Sequence, residues 1–145
     1  MKDNDKEPKV IRAERFELMD PEGEVRAALG FTEEGSPNLR FFDDSGNPRV
    51  SLGLFKGNWT GVRYLDEDED IRSMLGLGED ILPILSLLDG KGQMRATLVL
   101  RNDGAVAAIF FDGDQQVRLG VGVRNDGLPD IVFYDRGGKR LGGMS

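Results

Sequence analysis

Apolar and polar residues alternate along most of this chain, in short stretches that turn residues separate. In "PRVSLGLF", residues 48–55, and in "MRATLVL", residues 94–100, apolar side chains occupy every second position. A period of two is typical of a β-strand with one apolar face against a core. The one helix candidate, "DIRSMLGLGEDILPILSLL" at 70–88, aligns with the strand pattern of the rest of the chain. The pattern therefore predicts strands and almost no helix.

The strands recur in a unit of 23 residues. Five full units and a truncated sixth align without a gap when they begin at Phe16, Leu39, Val62, Leu85, Ala108 and Ile131. Position 5 is then Asp in all six units, position 8 is Gly in four, position 11 is Arg in five and position 15 is Gly in four. A fixed period of this length is the signature of one supersecondary unit that covers its apolar surface by stacking on its neighbours.

Two turn signals divide each unit. Asp at position 5 and Gly at position 8 suit the ends of a type I turn, because the carboxylate can accept a backbone N–H two residues on and Gly tolerates the left-handed conformation. A second turn is predicted at sequences such as "EEGSP" and "NDGLP". Each unit is therefore predicted to be a β-hairpin.

The predicted fold is all-β: six hairpins of about 23 residues in an antiparallel meander, either barrel-like or a single sheet. An open meander covered by other subunits and a parallel β-solenoid remain as alternatives, although the turn chemistry favours antiparallel hairpins. Residues 1–9 are predicted to be a disordered, charged N-terminus and residues 10–145 a single β-repeat domain. The segment "VIRAERFELMD" is expected to extend the first strand backward and cap the domain.

The arginine at position 11 is expected to face a large side chain of the first strand. A four-residue hairpin loop pairs position 3 with 12 and position 1 with 14, which leaves Arg opposite position 4; a three-residue bulged loop sets it opposite position 3. In both registers the arginine lies across from an aromatic or large aliphatic group. We favour a structural role for these arginines, each paired with a side chain of the first strand, over a ladder of arginines that binds anions.

The unit, written "LxxYDxxGxxRxxLG", resembles repeats of bacterial proteins of uncharacterised function, from about Phe16 to the C-terminus. Its period is similar to that of MORN repeats, which are hairpin repeats, but their Tyr-Gly and Trp-Gly signature is missing here. The resemblance implies a hairpin-repeat fold and carries no activity.

Composition narrows the chemistry. The 145 residues include no cysteine and no histidine, which excludes thiolate nucleophiles, disulfides and the usual general base. A net charge of −7 disfavours nucleic acid as a partner. The charged start resembles no signal peptide, and no apolar run is long enough to span a membrane, so a cytoplasmic location is expected.

No catalytic, metal or cofactor site is predicted. Asp66, Asp68 and Asp70 have the one-three-five spacing of an EF-hand loop, but Ile71 replaces the glycine and Leu77 the final glutamate. A hydrolase that uses carboxylates alone remains chemically possible. However, the same aspartate stands in every unit, which indicates scaffolding.

Two departures from the repeat are candidate interaction sites. The second turn of unit 2, "LFKGNWTG", carries Phe55, Lys56, Asn58 and Trp59 in place of acidic residues; the tryptophan either lies at an exposed tip or folds onto a neighbouring unit. The corresponding turn of unit 3 carries Ile81 and Leu82 in an apolar run that indicates an interface or a piece of core.

These features predict a non-enzymatic structural or interaction module. We expect it to act by self-assembly or by docking onto a larger protein complex, with a homo-oligomer as the expected state and Ile81 and Leu82 at the contact. The alternative is a β-barrel that binds a small apolar ligand.

Overall fold

A computed structural model describes residues 9–57, 59–78 and 82–144 of the chain. These residues form one antiparallel sheet of twelve strands whose spatial order is the order of the chain. The strands are β1 (Phe16–Met19), β2 (Val25–Phe31), β3 (Pro37–Phe42), β4 (Pro48–Phe55), β5 (Trp59–Leu65), β6 (Ile71–Leu77), β7 (Pro83–Leu88), β8 (Met94–Leu100), β9 (Val106–Phe111), β10 (Val117–Val123), β11 (Pro129–Tyr134) and β12 (Arg140–Met144).

The sheet is an open meander. Within the described residues each strand contacts only the strands before and after it, and β1 does not meet β12. The predicted all-β hairpin meander is thus confirmed in its single-sheet form, and the barrel and parallel-solenoid forms are wrong. A closed barrel would need β1 and β12 to pair, and a solenoid would need parallel neighbours.

The chain before Phe16 differs from its prediction. Residues 10–15 form no strand, so the expected backward extension of β1 is wrong. The segment nevertheless reaches over β2, because a side chain built at Gly30 would lie 3.6 Å from Cγ of Arg15. The predicted disorder of residues 1–9 falls, apart from Lys9, outside the described residues.

The first turn of each unit is the predicted Asp–Gly turn. In unit 2, Gly46 N–H donates to the carbonyl of Asp43 at 3.0 Å, and the Asp43 carboxylate accepts the N–H groups of Ser45 and Asn47 at 2.9 and 3.0 Å. Gly46 has a φ of 83°. Units without this glycine keep the same turn, since Glu69 and Gln115 adopt φ angles of 63° and 59°. The turn geometry is therefore strong enough to hold a side chain in a conformation that L-residues rarely adopt.

A β-bulge follows every first turn. Position 3 pairs with position 12 and position 1 with position 14, as in Phe41 with Val50 and Leu39 with Leu52, so this part of the predicted register is confirmed. Phe42, however, pairs with Pro48, which leaves Arg49 as the extra residue of the bulge. The same slip occurs in all six hairpins. The prediction that the position-11 arginine faces an aromatic side chain is therefore wrong, because the bulge removes it from the ladder of cross-strand pairs.

The freed arginines instead join the turns. In five units the arginine at position 11 forms an ion pair with the aspartate at position 5 of its own turn, with N···O distances of 2.5 to 3.8 Å. Arg26 also donates to the carbonyl of Asp43 at 2.8 Å, and Arg118 donates to the carbonyl of Asp135, so these two arginines link one turn to the next. We call this series the Asp–Arg ladder.

The register divides the strand residues between two faces. One, the apolar face, carries uncharged and mostly large apolar side chains, exemplified by the row Phe16, Leu29, Leu39, Leu52, Val62, Leu75, Leu85, Leu98, Ala108, Val121 and Ile131. The other, the glycine face, carries small residues and a few polar ones, among them Gly53, Gly61, Gly76 and Gly122.

The glycine face is the buried one. Asn38, Ser51, Ser86 and Thr97 are buried on it, Ser86 completely, whereas leucines on the apolar face are exposed. The strand backbones approach closely on this side: a Cβ at Gly53 would lie 2.9 Å from Cα of Asn38, a distance that real side chains do not tolerate. Such an approach leaves no room for a Cβ, so glycine is required where neighbouring strands come this close. The burial predicted for the alternating apolar residues is therefore reversed within the single chain.

Candidate interaction surfaces and a charged groove

The apolar face is an exposed surface without a charge. At every strand position that the cross-strand pairing assigns to it, the residue is uncharged, and side chains such as Leu29, Leu52, Leu75 and Leu98 are exposed, Leu75 to 56%. The charged strand residues that take part in this pairing, such as Arg40 and Arg63, lie on the opposite face. Monomeric proteins rarely expose apolar patches of more than a few hundred Å². This face therefore has the character of a surface that something covers.

The predicted unit-2 site lies at the end of the β4–β5 hairpin. Phe55 and Trp59 are direct cross-strand partners, Lys56 is exposed in the turn, and Asn58 lies outside the described residues. Trp59 is half-buried, and a side chain built at Gly78 would lie 3.5 Å from its Cζ2. Of the two predicted placements of Trp59, the structure shows the one in which the side chain folds onto a neighbouring unit.

Leu82 joins Trp59 rather than the apolar face. Its carbonyl accepts the N–H of Gly78 at 3.0 Å, and with Trp59, Ile84 and Val99 it lines a cleft of about 390 Å³. Ile81 lies outside the described residues. The structure thus brings together one member of each predicted interaction site. Ile84 belongs to the apolar run that the sequence singled out in unit 3, whereas Val99, which also lines the cleft, was missed because nothing in the repeat marks it as a neighbour of Trp59.

A second cavity crosses the glycine face over β3, β4 and β5. It has a volume of about 330 Å³, and its lining includes Asn38, Arg40, Ser51, Lys56 and Arg63. We call it the charged groove. Two carboxylates, Glu34 and Glu69, and the apolar residues Leu65 and Ile71 also line it. Sequence reasoning found Lys56 and Phe55 but missed both arginines.

Arg63 is a charged side chain of this groove with an unsatisfied hydrogen-bond donor. Its guanidinium carbon lies 3.6 Å from the centre of the Phe55 ring, and its Nε is buried without a hydrogen-bond partner. Burial lowers the pKa of Arg63 below its usual value. The stacking on Phe55 holds the planar group in place but leaves a donor unused.

Glu34 has its own partners. A hydrogen bond from its own backbone N–H, a second one from the hydroxyl of Thr32 and the positive charges of Lys56 and Arg40 lower the pKa of Glu34. Glu34 is therefore held ionised at the turn.

The contacts within the Asp–Arg ladder shift the pKa values of several of its side chains. The backbone N–H of Glu24 and the guanidinium of Arg26 lower the pKa of Asp20, and the hydrogen bond to Asp20 raises the pKa of Arg26. Backbone N–H groups from Lys91 and Gln116 do the same for Asp89 and Asp112. For Asp66, partial burial raises the pKa, but Arg72 and two backbone N–H groups outweigh it. The repeated aspartates thus have a structural task in the turns.

In the part of the chain that the structure describes, no three carboxylates converge as a metal site would require. Asp66 instead accepts hydrogen bonds from the backbone of Asp68 and Asp70 within its own turn. The described residues also contain no helix that is long and apolar enough to cross a bilayer.

Neither a scan against protein-family models nor a search of curated proteins found a match for this chain. The resemblance to 23-residue bacterial repeats therefore stays a prediction.

Proposed function

We propose that this chain is a non-enzymatic interaction module that assembles with a second copy of itself through the apolar face. The observation that carries the proposal is the exposure of a continuous uncharged surface on one side of a twelve-stranded sheet. The predicted contact at Ile81 and Leu82 is replaced by this larger surface, because Leu82 lies in the cleft beside Trp59.

The area of the surface suits a stable dimer. The chain has an accessible surface of 10834 Å² at a mass of 16.0 kDa. A globular monomer of that mass exposes about 7,400 Å², so the excess is about 3,400 Å². Obligate homodimer interfaces bury about 2,000–5,000 Å² in total, or about half of that on each copy. The excess surface of one chain is therefore more than its share of such an interface.

The distribution of charge favours a copy over a different partner. With a net charge of −7, two chains repel each other unless their charges stay in water. Sheets stacked face to face lie about 10 Å apart, with their turns at the rim, which keeps the Asp–Arg ladder hydrated and meets an apolar surface with an apolar surface. An isologous pair of this kind closes and does not grow into a fibre.

The test places lysines in the middle of the apolar face. Leu75→Lys combined with Leu98→Lys should shift the mass measured by light scattering from a multiple of 16.0 kDa to the monomer. The matched control, Asn102→Lys with Asn125→Lys, adds the same charge at exposed turns and should leave the mass unchanged. Circular dichroism reports whether each variant keeps its strands.

A wild type that is monomeric at micromolar concentration would overturn the proposal, as would a lysine variant that assembles normally. If the lysine variant unfolds, the wild-type melting temperature decides, because a dimer melts higher at higher protein concentration and a monomer does not. A larger partner that copurifies at one copy per chain, in place of a second copy, would contradict self-assembly.

A second candidate is a site for a small apolar ligand. The barrel expected for it is not formed, but the cleft between Trp59, Leu82, Ile84 and Val99 is largely apolar and falls in the size range of ligand pockets. Ligand in this cleft should change the fluorescence of Trp59, and Val99→Trp should block it. No copurified apolar ligand in native mass spectrometry, and no response of Trp59 to fatty acids or aromatic hydrocarbons, would remove this candidate.

A further inference from the structure

One position of the repeat changes character between units. Position 2 lies on the glycine face and is filled by Ser86, Ile109 and Val132 in units 4, 5 and 6, where it is buried or half-buried. In units 2 and 3 the same position is Arg40 and Arg63. In unit 1 the position is the exposed Glu17, and in units 4 to 6 a small or apolar side chain fills it, so the fold does not need arginine here.

The two arginines lie on the same row of the sheet. Ser51 pairs with Arg40 on one side and with Arg63 on the other, so two strand spacings, about 10 Å, separate the arginine backbones. Lys56 and Asn38 line the same groove. Three cations thus face two carboxylates in it, and one of these, Glu34, is already bound by Thr32.

Arg63 carries the strongest indication of a ligand. Its Nε is buried without a partner, whereas five arginines of the Asp–Arg ladder each reach a carboxylate. A buried donor without a partner costs free energy. Stacking on Phe55 fixes the plane of the guanidinium, so that its fork of N–H donors is already oriented for a two-oxygen acceptor.

We propose that the charged groove binds a small organic anion, whose carboxylate or phosphate oxygens accept hydrogen bonds from Arg63 and face Arg40 and Lys56. The apolar part of the ligand lies against Leu65 and Ile71. A volume of about 330 Å³ admits a ligand of about the size of a substituted phenyl ring. The site lies on the face opposite the proposed dimer contact and does not depend on it.

Phenyl phosphate and benzoate are suitable probes, because the first carries a phosphate and the second a carboxylate on a phenyl ring. Benzyl alcohol is the neutral control. Binding is measured by calorimetry and by the fluorescence of Trp59, the cross-strand partner of Phe55 and the only tryptophan of the chain. We expect at least one of the two anions to bind at millimolar concentration or tighter, and benzyl alcohol to bind at least tenfold more weakly. The stronger of the two anions identifies the oxyanion.

Arg63→Met keeps the aliphatic volume and removes the charge. It should weaken binding of the stronger probe about tenfold or more, as expected for the loss of a charge-assisted hydrogen bond. It should also leave the melting temperature unchanged or raise it, because the unpartnered donor disappears. The control Arg101→Met removes an exposed arginine paired with Asp103 and should leave binding intact.

Three results would overturn the proposal: no binding of either anion to the wild type, equal binding of benzyl alcohol, or anion binding that survives Arg63→Met. A marked loss of stability in Arg63→Met without a loss of binding would assign the arginine a packing role on Phe55 alone. Because the groove and the apolar face are separate, the Leu75→Lys, Leu98→Lys variant should bind the anion as the wild type does.

Discussion

The two faces of this sheet carry opposite residues in opposite surroundings. On the glycine face, serine, threonine and asparagine side chains are buried, and Ser86 is fully enclosed. On the apolar face, leucines, valines and phenylalanines of the same strands are exposed, with Phe31 accessible to 63%. In an ordinary antiparallel sheet the assignment is the reverse. Burial here therefore goes with close approach of neighbouring strands, which occurs on the side where the side chains are small.

The comparison also separates two roles. The glycine face forms the interior of the single chain, and its residues are set by how closely adjacent strands approach. The apolar face contributes little to the packing of the isolated chain and remains available to a partner. Substitutions on the glycine face should therefore change folding, and substitutions on the apolar face should change assembly.

The largest expected effect is on the glycine face. A Cβ at Gly76 would lie 2.9 Å from Cα of Gly61 and closer still to the carbonyl oxygen of Thr60. Gly76→Ala must push two paired backbones apart, so we expect it to lower the free energy of unfolding by about 3 kcal/mol. Urea denaturation followed by circular dichroism measures the change.

Gly120 provides the matched control, because it lies on the same face with nothing within 4 Å of a built Cβ. Gly120→Ala should be neutral or stabilising by about 0.5 kcal/mol, since alanine reduces the entropy of the unfolded chain. Equal losses in the two variants would show that close approach of the strands is not what selects glycine.

A smaller effect is expected at the rim between the faces. Arg118 is mostly buried and joins the Asp112 carboxylate to the carbonyl of Asp135, whereas Arg124 pairs with Asp126 within one exposed turn. Arg118→Ala should cost about 1 kcal/mol and Arg124→Ala about 0–0.5 kcal/mol. Thermal unfolding of both variants measures the difference, and a larger loss in Arg124→Ala would contradict the proposed link between turns.

The smallest expected effect is that of acid on the same rim. The pKa values of Asp20, Asp66, Asp89 and Asp112 are lowered in the folded chain. Their contribution to stability is therefore present above the unfolded pKa of about 4 and is lost as the pH falls through the folded values. The melting temperature should be level above about pH 5 and fall below about pH 4.

Asp112→Asn should flatten that acid response, and Asp114→Asn, in the same turn, should not. Melting curves between neutral and acidic pH compare the two variants. An acid response that is the same in both would place its origin outside the Asp–Arg ladder.

The sequence predicted what local chemistry determines. The Asp–Gly turns, the hairpins and the pairing of positions 1 and 3 with 14 and 12 follow from short-range rules and are confirmed. A bulged loop was one of two predicted registers, and the sequence did not decide between them because two loop lengths fit the same residues; neither placed Arg49 as the extra residue of the bulge. Whether the sheet closes or stays open depends on the sum of many small strand twists, which no single unit reveals.

The interaction sites were harder to predict. Trp59 and Leu82 were each recognised as departures from the repeat, but their meeting in one cleft depends on how neighbouring hairpins stack. The charged groove was missed because its arginines stand at position 2, which is not one of the repeated Asp, Gly and Arg positions of the unit. There, Arg40 and Arg63 stand where later units have Ser86, Ile109 and Val132.

Solvent access to the apolar face tests the central claim most directly, and a chain without cysteine allows it to be measured with a single thiol. A cysteine introduced at Leu75, on the apolar face, is compared with one at Asn102, in an exposed turn. We predict that Leu75→Cys reacts slowly with an alkylating reagent at high protein concentration and faster on dilution, while Asn102→Cys reacts fast at every concentration. Equal and concentration-independent rates at the two positions would contradict a face that a second copy covers.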